Sequence, residues 1–125
     1  MTVRVRVDPT DPTPPYEQLR AQLAQLISGG VVEAGSRLPP VRQLAADLGL
    51  ATGTVARAYR ELEAEGYVRT RRGGGTTVSA DAPTLRPVER EQKVDALLRE
   101  AVQQARRLGA TNEEIEAALR EALTP

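Results

Sequence analysis

Residues 38–78 read LPPVRQLAADLGLATGTVARAYRELEAEGYVRTRRGGGTTV, and this stretch contains the pattern that decides the fold. Its apolar residues recur at spacings of three and four in two separate runs, which predicts two short amphipathic helices. Gly49 and Gly66 follow the two runs at positions where glycine commonly ends a helix. Because the turn between the helices is short, they must cross steeply. This geometry indicates a helix-turn-helix, whose second helix can enter the major groove of DNA.

The segments on either side of this stretch complete a winged helix. After Gly66, two short β-prone runs, YVRTRR and TTVS, are separated by the glycines at 73–75, which predicts a β-hairpin directly after the second helix. An earlier apolar stripe that begins near Tyr16 predicts a further helix. Three helices and a hairpin need only one small core. The residues predicted to fill it are Leu19, Leu23, Ile27, Leu38, Leu44, Leu48, Val55, Tyr59, Leu62, Val68 and Val78.

The first 15 residues are assigned to the same domain, which we place at 1–79. Residues 2–7, TVRVRV, alternate valine with polar residues, and this period of two predicts a short edge strand. Residues 8–15, DPTDPTPP, contain four prolines and predict an extended connector. Arg4 and Arg6 are expected to make secondary contacts with phosphate.

A second element follows a linker at 80–87, which carries two prolines. In residues 88–125 a heptad stripe predicts one helix, and the T-x-x-E pattern of Thr111 and Glu114 predicts a capping box that starts another. Two such short helices bury their own stripe poorly, so we predict that this element dimerises, the alternative being a small core within the chain. The predicted dimerisation residues are Val94, Leu97, Leu98, Ala101, Ala105, Leu108, Ile115, Leu119 and Leu123.

Composition excludes several kinds of site. The 125-residue chain has no cysteine and no histidine, so it cannot form a disulfide framework, the usual zinc sites or a catalytic site built on either residue. We therefore predict no cofactor, no metal site and no enzymatic activity. No apolar run approaches the roughly 18 residues that span a bilayer, and the first residues lack the apolar region of a signal peptide. A cytoplasmic location is expected.

Charge gives weaker information than the motifs do. Seventeen basic and seventeen acidic residues cancel over the whole chain. Residues 1–79 nevertheless hold ten arginines against eight acids, whereas residues 80–125 hold seven basic and nine acidic residues. Arg69, Arg71 and Arg72 form a local cluster with no acid between them, and such a cluster can bind phosphate even in a neutral chain.

Three motifs at fixed spacing resemble the winged-helix domain of the GntR family of bacterial transcription regulators. They are LPxxRxLAxxLG at 38–49, TVxxAYxxLxxEG at 54–66 and RGxGTxV at 72–78, and the resemblance covers about residues 12–79. The run ARAYRELEAEG and a two-helix tail in place of a large ligand-binding domain are most similar to the short YtrA-type subfamily. This resemblance implies a homodimer that binds an operator with two half-sites.

The resemblance also implies which positions contact DNA. Arg42 matches an arginine that reaches DNA from the first helix of the motif, residues 52–54 match the start of the recognition helix, and residues 72–73 match the tip of the wing. Arg57 and Arg71 are added because of their positions on the recognition helix and beside the wing glycines. The full predicted DNA-binding set is Arg42, Thr52, Gly53, Thr54, Arg57, Arg71, Arg72, Gly73, Gly75 and Thr76.

Three positions depart from the family pattern. Pro40 replaces a common serine, Thr77 replaces a common wing phenylalanine, and residues 51–53 are Ala-Thr-Gly where many members carry longer polar side chains. We therefore expect Arg42, Arg57 and the wing arginines to carry more of the contact than the first turn of the recognition helix. An alternative for Arg57 is a pairing with Glu61, one turn later on a solvated face.

The predicted function is that of a sequence-specific DNA-binding transcription regulator, a repressor, that acts as a homodimer on an inverted repeat of double-stranded DNA. The alternative from another class is a winged helix that docks a protein partner and does not bind DNA specifically. The sequence leaves open whether a small-molecule effector exists. Because the tail is short, an effector would have to bind at the dimer interface.

Overall fold

The computed structural model describes residues 4–125, and its fold is mainly helical with one β-hairpin, as predicted. The chain divides into two compact units, one ending at Leu85 and the other running from Arg86 to Pro125. The elements are α1 (Pro15–Ser28), α2 (Val41–Leu48), α3 (Thr52–Ala64), β1 (Val68–Arg71), β2 (Gly75–Val78), α4 (Pro87–Arg107) and α5 (Asn112–Ala122).

The turn between α2 and α3 has the geometry that the sequence predicts. Gly49 ends α2 with φ at 68°, a left-handed conformation that side chains with a Cβ adopt at a cost. The amide of Leu50 then donates to the carbonyl of Ala45 at 2.9 Å, which closes the end of α2. Ala51 is extended, and α3 begins at the next residue. The turn therefore reverses the chain within three residues and sets α2 against α3.

The core of the first unit lies where α1, α2 and the hairpin meet α3. Ten of the eleven predicted core residues are buried, all except Leu48, which is only partly buried and packs against the core from outside. The prediction for Leu48 is wrong because it is the last residue of α2 and lies at the edge of the contact. The core also includes four residues that were not predicted, and they are Ala24, Val32, Ala45 and Ala58.

The predicted strand at 2–7 does not form in its described part. Residues 2 and 3 lie outside the described residues, and residues 4–7 have no strand assignment. Instead, the side chain of Gln22 on α1 pairs with the backbone of Arg6, accepting from its amide at 2.8 Å and donating to its carbonyl at 2.7 Å. Gln18 pairs with Asp8 in the same way, at 2.8 and 2.9 Å. A carboxamide has both a donor and an acceptor, so these two side chains replace a partner strand.

A third extended segment joins the hairpin. β1 and β2 are antiparallel with Val68 opposite Val78, and Arg37 forms an isolated bridge with Thr77 on the other side of β2. The amide of Leu38 donates to the carbonyl of Thr76 at 2.8 Å, which fixes this segment beside β2. The connector before α2 is therefore part of the wing sheet.

The second unit consists of α4 and α5. The predicted capping box is present at the start of α5, where Thr111 Oγ1 accepts from the amide of Glu114 at 3.2 Å and Glu114 Oε1 accepts from the amide of Thr111 at 3.1 Å. Gly109 follows α4 with φ at 86°, as expected for a helix end. Among residues 4–125, no helix is both long enough and apolar enough to span a membrane.

The hydroxyl of Tyr59 gives a direct test of how the first unit is held together. Tyr59 is 4% exposed, and its hydroxyl donates to the carbonyl of Pro39 at 2.7 Å, linking α3 to the residues before α2. Burial raises the pKa of Tyr59 above its usual value, so the hydroxyl stays protonated and able to donate into the alkaline range. We expect Tyr59→Phe to lower the free energy of unfolding by about 1 kcal/mol, as measured by urea denaturation.

Tyr67→Phe is the matched control for this substitution. Tyr67 is partly buried against the same core, and its hydroxyl has no hydrogen-bond partner among the side chains that the structure describes. Its substitution is expected to leave the urea midpoint almost unchanged. An equal loss in both variants would show that the bond to Pro39 does not stabilise the unit.

Candidate nucleic-acid interface

The first turn of α3 presents small residues to solvent. Thr52 and Gly53 are exposed and Thr54 is partly buried, and no side chain caps the helix. A Cβ built at Gly53 would meet no atom within 4 Å, so the backbone is open on this side. The first amides of a helix have no partner within it, and they can donate to an anion. The turn therefore offers backbone donors and two short hydroxyl side chains.

Arg57 lies about one turn further along α3 and is held by a contact that the sequence did not predict. Its guanidinium carbon lies 3.7 Å from the ring centroid of Tyr16 on α1, which is a cation–π geometry. Its Nε also lies 3.8 Å from Glu61 Oε1, so the pairing that was considered as the alternative is present, although it is long. The side chain is 52% exposed. Arg57 is thus oriented by an aromatic ring and still reaches solvent.

The acidic end of α3 is engaged within the unit. Glu65 pairs with Arg20 of α1 at 3.1 Å, and Glu63 Oε2 accepts from the amide of Thr70 on β1 at 2.9 Å. Arg20 also donates to Glu17, and this hydrogen bond is the main reason that the pKa of Glu17 is lowered. These carboxylates therefore have partners on α1 and β1, and they lie toward the opposite end of α3 from Thr52.

The wing has two chemically different faces. Val68 and Val78 are buried on the inner face, where the hydroxyls of Thr70 and Thr76 lie 3.2 Å apart. The strand register places Arg69 opposite Thr77 and Arg71 opposite Gly75, so both arginines point from the outer face.

The tip of the wing is a turn. It contains the exposed residues Arg72 and Gly73, and Gly74 is partly buried. The predicted wing residues therefore lie in three different places. Arg71 lies on the outer face, Arg72 lies at the tip and Thr76 lies on the inner face.

The remaining predicted residues are also on the surface of the first unit. Arg42 is exposed on α2. Gly75 is partly buried because the guanidinium of Arg37 lies against it, with Nε 2.7 Å from the position of a built Cβ. Sequence reasoning missed Arg37 and Tyr16, since neither stands in the helix-turn-helix pattern and both act through contacts with distant residues. The only local signal for Arg37 was its position, because it directly precedes the LPxxR motif.

The second unit exposes an apolar stripe. No residue of α4 or α5 is buried, so the predicted heptad residues do not form a core within the chain. Ala101 is exposed, and Ala105 and Ile115 are partly buried. The large exposed side chains of the predicted set, with their exposed fractions, are Val94 at 48%, Leu97 at 69%, Leu98 at 47%, Leu108 at 89%, Leu119 at 44% and Leu123 at 75%.

Comparison with known families assigns the first unit to a family of bacterial regulatory proteins. Residues 15–78 match the family model described as bacterial regulatory proteins, gntR family. The matched region starts at the first residue of α1 and ends at the last residue of β2. It covers the three helices and the hairpin of the winged helix and stops before the two-helix tail.

Similar proteins are named as regulators of transcription. The HTH-type transcriptional regulator Rv1152 of Mycobacterium tuberculosis is 43% identical over 107 residues, 86% of this chain and 84% of that protein. The HTH-type transcriptional repressor YtrA of Bacillus subtilis is 42% identical over 80 residues, 64% of this chain and 62% of that protein. The pyridoxine biosynthesis regulator PdxR of Corynebacterium glutamicum is 40% identical over 71% of this chain, but the match spans only 20% of PdxR.

Solved structures share the fold. A GntR family transcriptional regulator from Listeria monocytogenes is 33% identical with a TM-score of 0.55, and the match covers 89% of this chain and 96% of that one. AraR(DBD), solved in complex with operator ORX1, is 23% identical with a TM-score of 0.55 and matches 62% of this chain over its whole length. At 23% identity, the match to AraR(DBD) shows a similarity of fold alone.

Proposed function

The chain belongs to the GntR family of bacterial regulatory proteins, and from this premise we propose that it binds an inverted-repeat operator as a homodimer and represses transcription. The resemblance found in the sequence, including the short YtrA-type form, is confirmed by the family match and by the relatives. Those relatives are transcription regulators and not enzymes.

The observation that carries the proposal is the exposed face of the winged helix. Arg42, the first turn of α3, Arg57 and Arg72 all reach solvent, while the acids at the far end of α3 have partners within the unit. Recognition helices enter the major groove with their N-terminal residues, and arginine is favoured in a narrow minor groove. We assign residues 52–54 and Arg57 to the major groove, Arg42 to its rim and Arg72 to the minor groove.

The homodimer is supported by the second unit. Its exposed leucines and valines form a stripe that a second copy would cover, and isolated monomers rarely expose such continuous apolar surface. A two-fold symmetric dimer also presents two identical reading heads, which matches two half-sites about one helical turn apart. The named YtrA relative is a repressor, and this supports repression over activation.

We also propose that the protein is cytoplasmic and is bound to the nucleoid when it occupies its operator. Specificity is proposed to depend more than usual on DNA shape and on backbone amides, because the first turn of α3 carries no long side chain. A small-molecule effector, where one exists, would bind between the tails of the dimer.

Selection of DNA from a random pool by the purified chain tests the proposal. A recovered palindrome with two half-sites would support both the function and the symmetry. If the pool yields no preferred sequence, and the chain binds DNA weakly and without dependence on salt, the proposal is contradicted. That result would favour the alternative, a winged helix that docks a protein.

Arg72→Ala tests the contact of the wing tip. The substitution is expected to weaken operator binding and to reduce the slope of log affinity against log salt by about 2, because one arginine in each protomer of the dimer no longer displaces counterions from DNA. Fluorescence anisotropy at several salt concentrations measures both quantities. Arg120→Ala, a matched charge removal at an exposed position of α5, should leave the slope unchanged. Identical slopes for Arg72→Ala and the unmodified protein would exclude Arg72 from the interface.

A further inference from the structure

Arg37 lies in a row of side chains across the outer face of the wing sheet. Its backbone bridges Thr77 of β2, and Thr77 in turn pairs with Arg69 of β1. Residues that are directly opposite in neighbouring strands point to the same side of a sheet. Arg37, Thr77 and Arg69 therefore share the outer face, while the adjacent Leu38 and Val78 are buried on the inner face.

The side chain of Arg37 continues along this face to Gly75. A Cβ built at Gly75 would lie 2.7 Å from Arg37 Nε and 2.8 Å from Arg37 Nη2, so the guanidinium packs directly on the glycine. Gly75 also has φ at 72°, which disfavours any residue with a Cβ. Because Gly75 pairs with Arg71, the side chains of Arg37 and Arg71 flank the same glycine at the base of the wing tip.

The charges on this face are largely uncompensated. Within residues 4–125, none of Arg37, Arg69 and Arg71 has a carboxylate within 4 Å, whereas Arg20, Arg57 and several tail arginines do. Arg69 and Arg71 line one groove together with Thr77, and Asp81 is the single acid among the described residues that lines it. Arg37 does not line this groove and lies against Gly75. Thr77 lies between Arg37 and Arg69 in this row and is partly buried.

The geometry points to a phosphate-binding face on the wing, in which Arg37 acts together with Arg69 and Arg71. A guanidinium presents a planar set of donors that fits a phosphate, and three of them on one face favour a run of phosphates over a single anion. The face is continuous with the tip that carries Arg72. Its occupant is the sugar-phosphate backbone of the DNA that flanks the wing, and this assignment rests on the proposed operator binding.

The test is the salt dependence of DNA binding by the full chain with Arg37→Ala. Anisotropy titrations from about 50 to 200 mM salt would use the selected operator and a scrambled duplex. Losing one phosphate contact in each protomer of the dimer should reduce the slope by about 1.8, which is about a 12-fold difference in affinity over that range. Affinity for the two duplexes should fall by the same factor, because phosphate contacts carry no sequence information.

Two further variants separate charge from packing. Arg37→Lys keeps the charge but loses the flat packing on Gly75, so it should restore the slope if the role is electrostatic. Arg90→Ala removes one exposed arginine of α4 and should leave the slope unchanged. Should Arg37→Ala unfold, Arg69→Ala tests the same face from β1, with the same expected change in slope, because Arg69 is not in the predicted DNA-binding set.

The outcomes distinguish this inference from the proposed function. An unchanged slope for Arg37→Ala, with normal operator binding by the unmodified protein, overturns the phosphate face and leaves the function intact. If Arg37→Lys does not restore the slope, the phosphate face is also overturned, since Arg37 would then act by packing. Loss of inorganic phosphate binding in Arg37→Ala without a change in slope would assign the face to a free anion and not to DNA. Absence of any DNA binding by the unmodified protein contradicts the function itself.

Discussion

Leu98→Glu is expected to convert the protein from a dimer to a monomer and to lower its operator affinity by about 100-fold or more. Leu98 lies in the middle of the α4 stripe and is 47% exposed in the single chain. In the proposed dimer this side chain is covered by the partner, and a glutamate there would lose its hydration without gaining a partner charge. A monomer binds one half-site only, and the loss of the second site removes the gain of about 10²–10⁴ that bivalent binding provides.

The single chain should tolerate this substitution. Leu98 is not part of a buried core in the single chain, and glutamate is a good helix former, so α4 should persist. Sedimentation velocity gives the oligomeric state, and circular dichroism gives the helix content. The expected result is a folded monomer.

Gln103→Glu provides the matched control for Leu98→Glu. It adds the same charge to the same helix at an exposed position five residues further on, on the face opposite the heptad stripe. It should remain a dimer with unchanged operator affinity. If Leu98→Glu sediments as a dimer with unaltered affinity, the stripe is not the interface, and the symmetry argument for an inverted repeat loses its basis.

The features that the sequence predicted are those whose cause is local. The apolar spacing of α2 and α3 and the glycine after each helix depend on residues within one or two turns, as does the capping box of Thr111 and Glu114. Each of these is present. The family motif extended the prediction to the fold of the whole first unit because it combines several such local features at fixed spacing.

The features that the sequence did not predict depend on contacts between distant residues. The alternation in TVRVRV is compatible with a strand, but Gln18 and Gln22 on α1 take the hydrogen bonds that a partner strand would make. Arg37 stands in a turn-rich connector whose pairing with β2 becomes visible only in three dimensions. Tyr16 likewise had no local reason to be linked to Arg57, which lies 41 residues later. Pattern analysis alone cannot pair residues at such separations.

The contact between Tyr16 and Arg57 leads to the second large expected effect. We expect Arg57→Ala to weaken operator binding by about 30-fold or more, since the dimer loses two arginines and each well-placed arginine contributes about 1–3 kcal/mol of discrimination at a base edge. Affinity for scrambled DNA should fall much less, so the ratio of specific to non-specific affinity should drop. An equal loss on both duplexes would assign Arg57 to phosphate and not to a base.

Tyr16 is expected to position Arg57 without touching DNA itself. The ring holds the guanidinium at 3.7 Å, and this contact reduces the freedom that a half-exposed arginine would lose on binding. Tyr16→Phe keeps the aromatic face and should bind the operator normally. Tyr16→Leu removes it and should weaken binding by about 5- to 30-fold, since the dimer loses two exposed cation–π contacts of about 0.5–1 kcal/mol each.

A double-mutant cycle separates this positioning role from an independent effect on the fold. If Tyr16 acts through Arg57, then Tyr16→Leu should cause no further loss of operator affinity in a chain that already carries Arg57→Ala, because the residue that it positions is absent. If Tyr16→Leu instead disturbs α1 against α3, its loss should be the same in both backgrounds, and the urea midpoint should fall with it. Additive losses of affinity would therefore reject the positioning role. A coupling energy close to the whole effect of Tyr16→Leu would instead establish that α1 takes part in sequence recognition, through the ring that it places against Arg57.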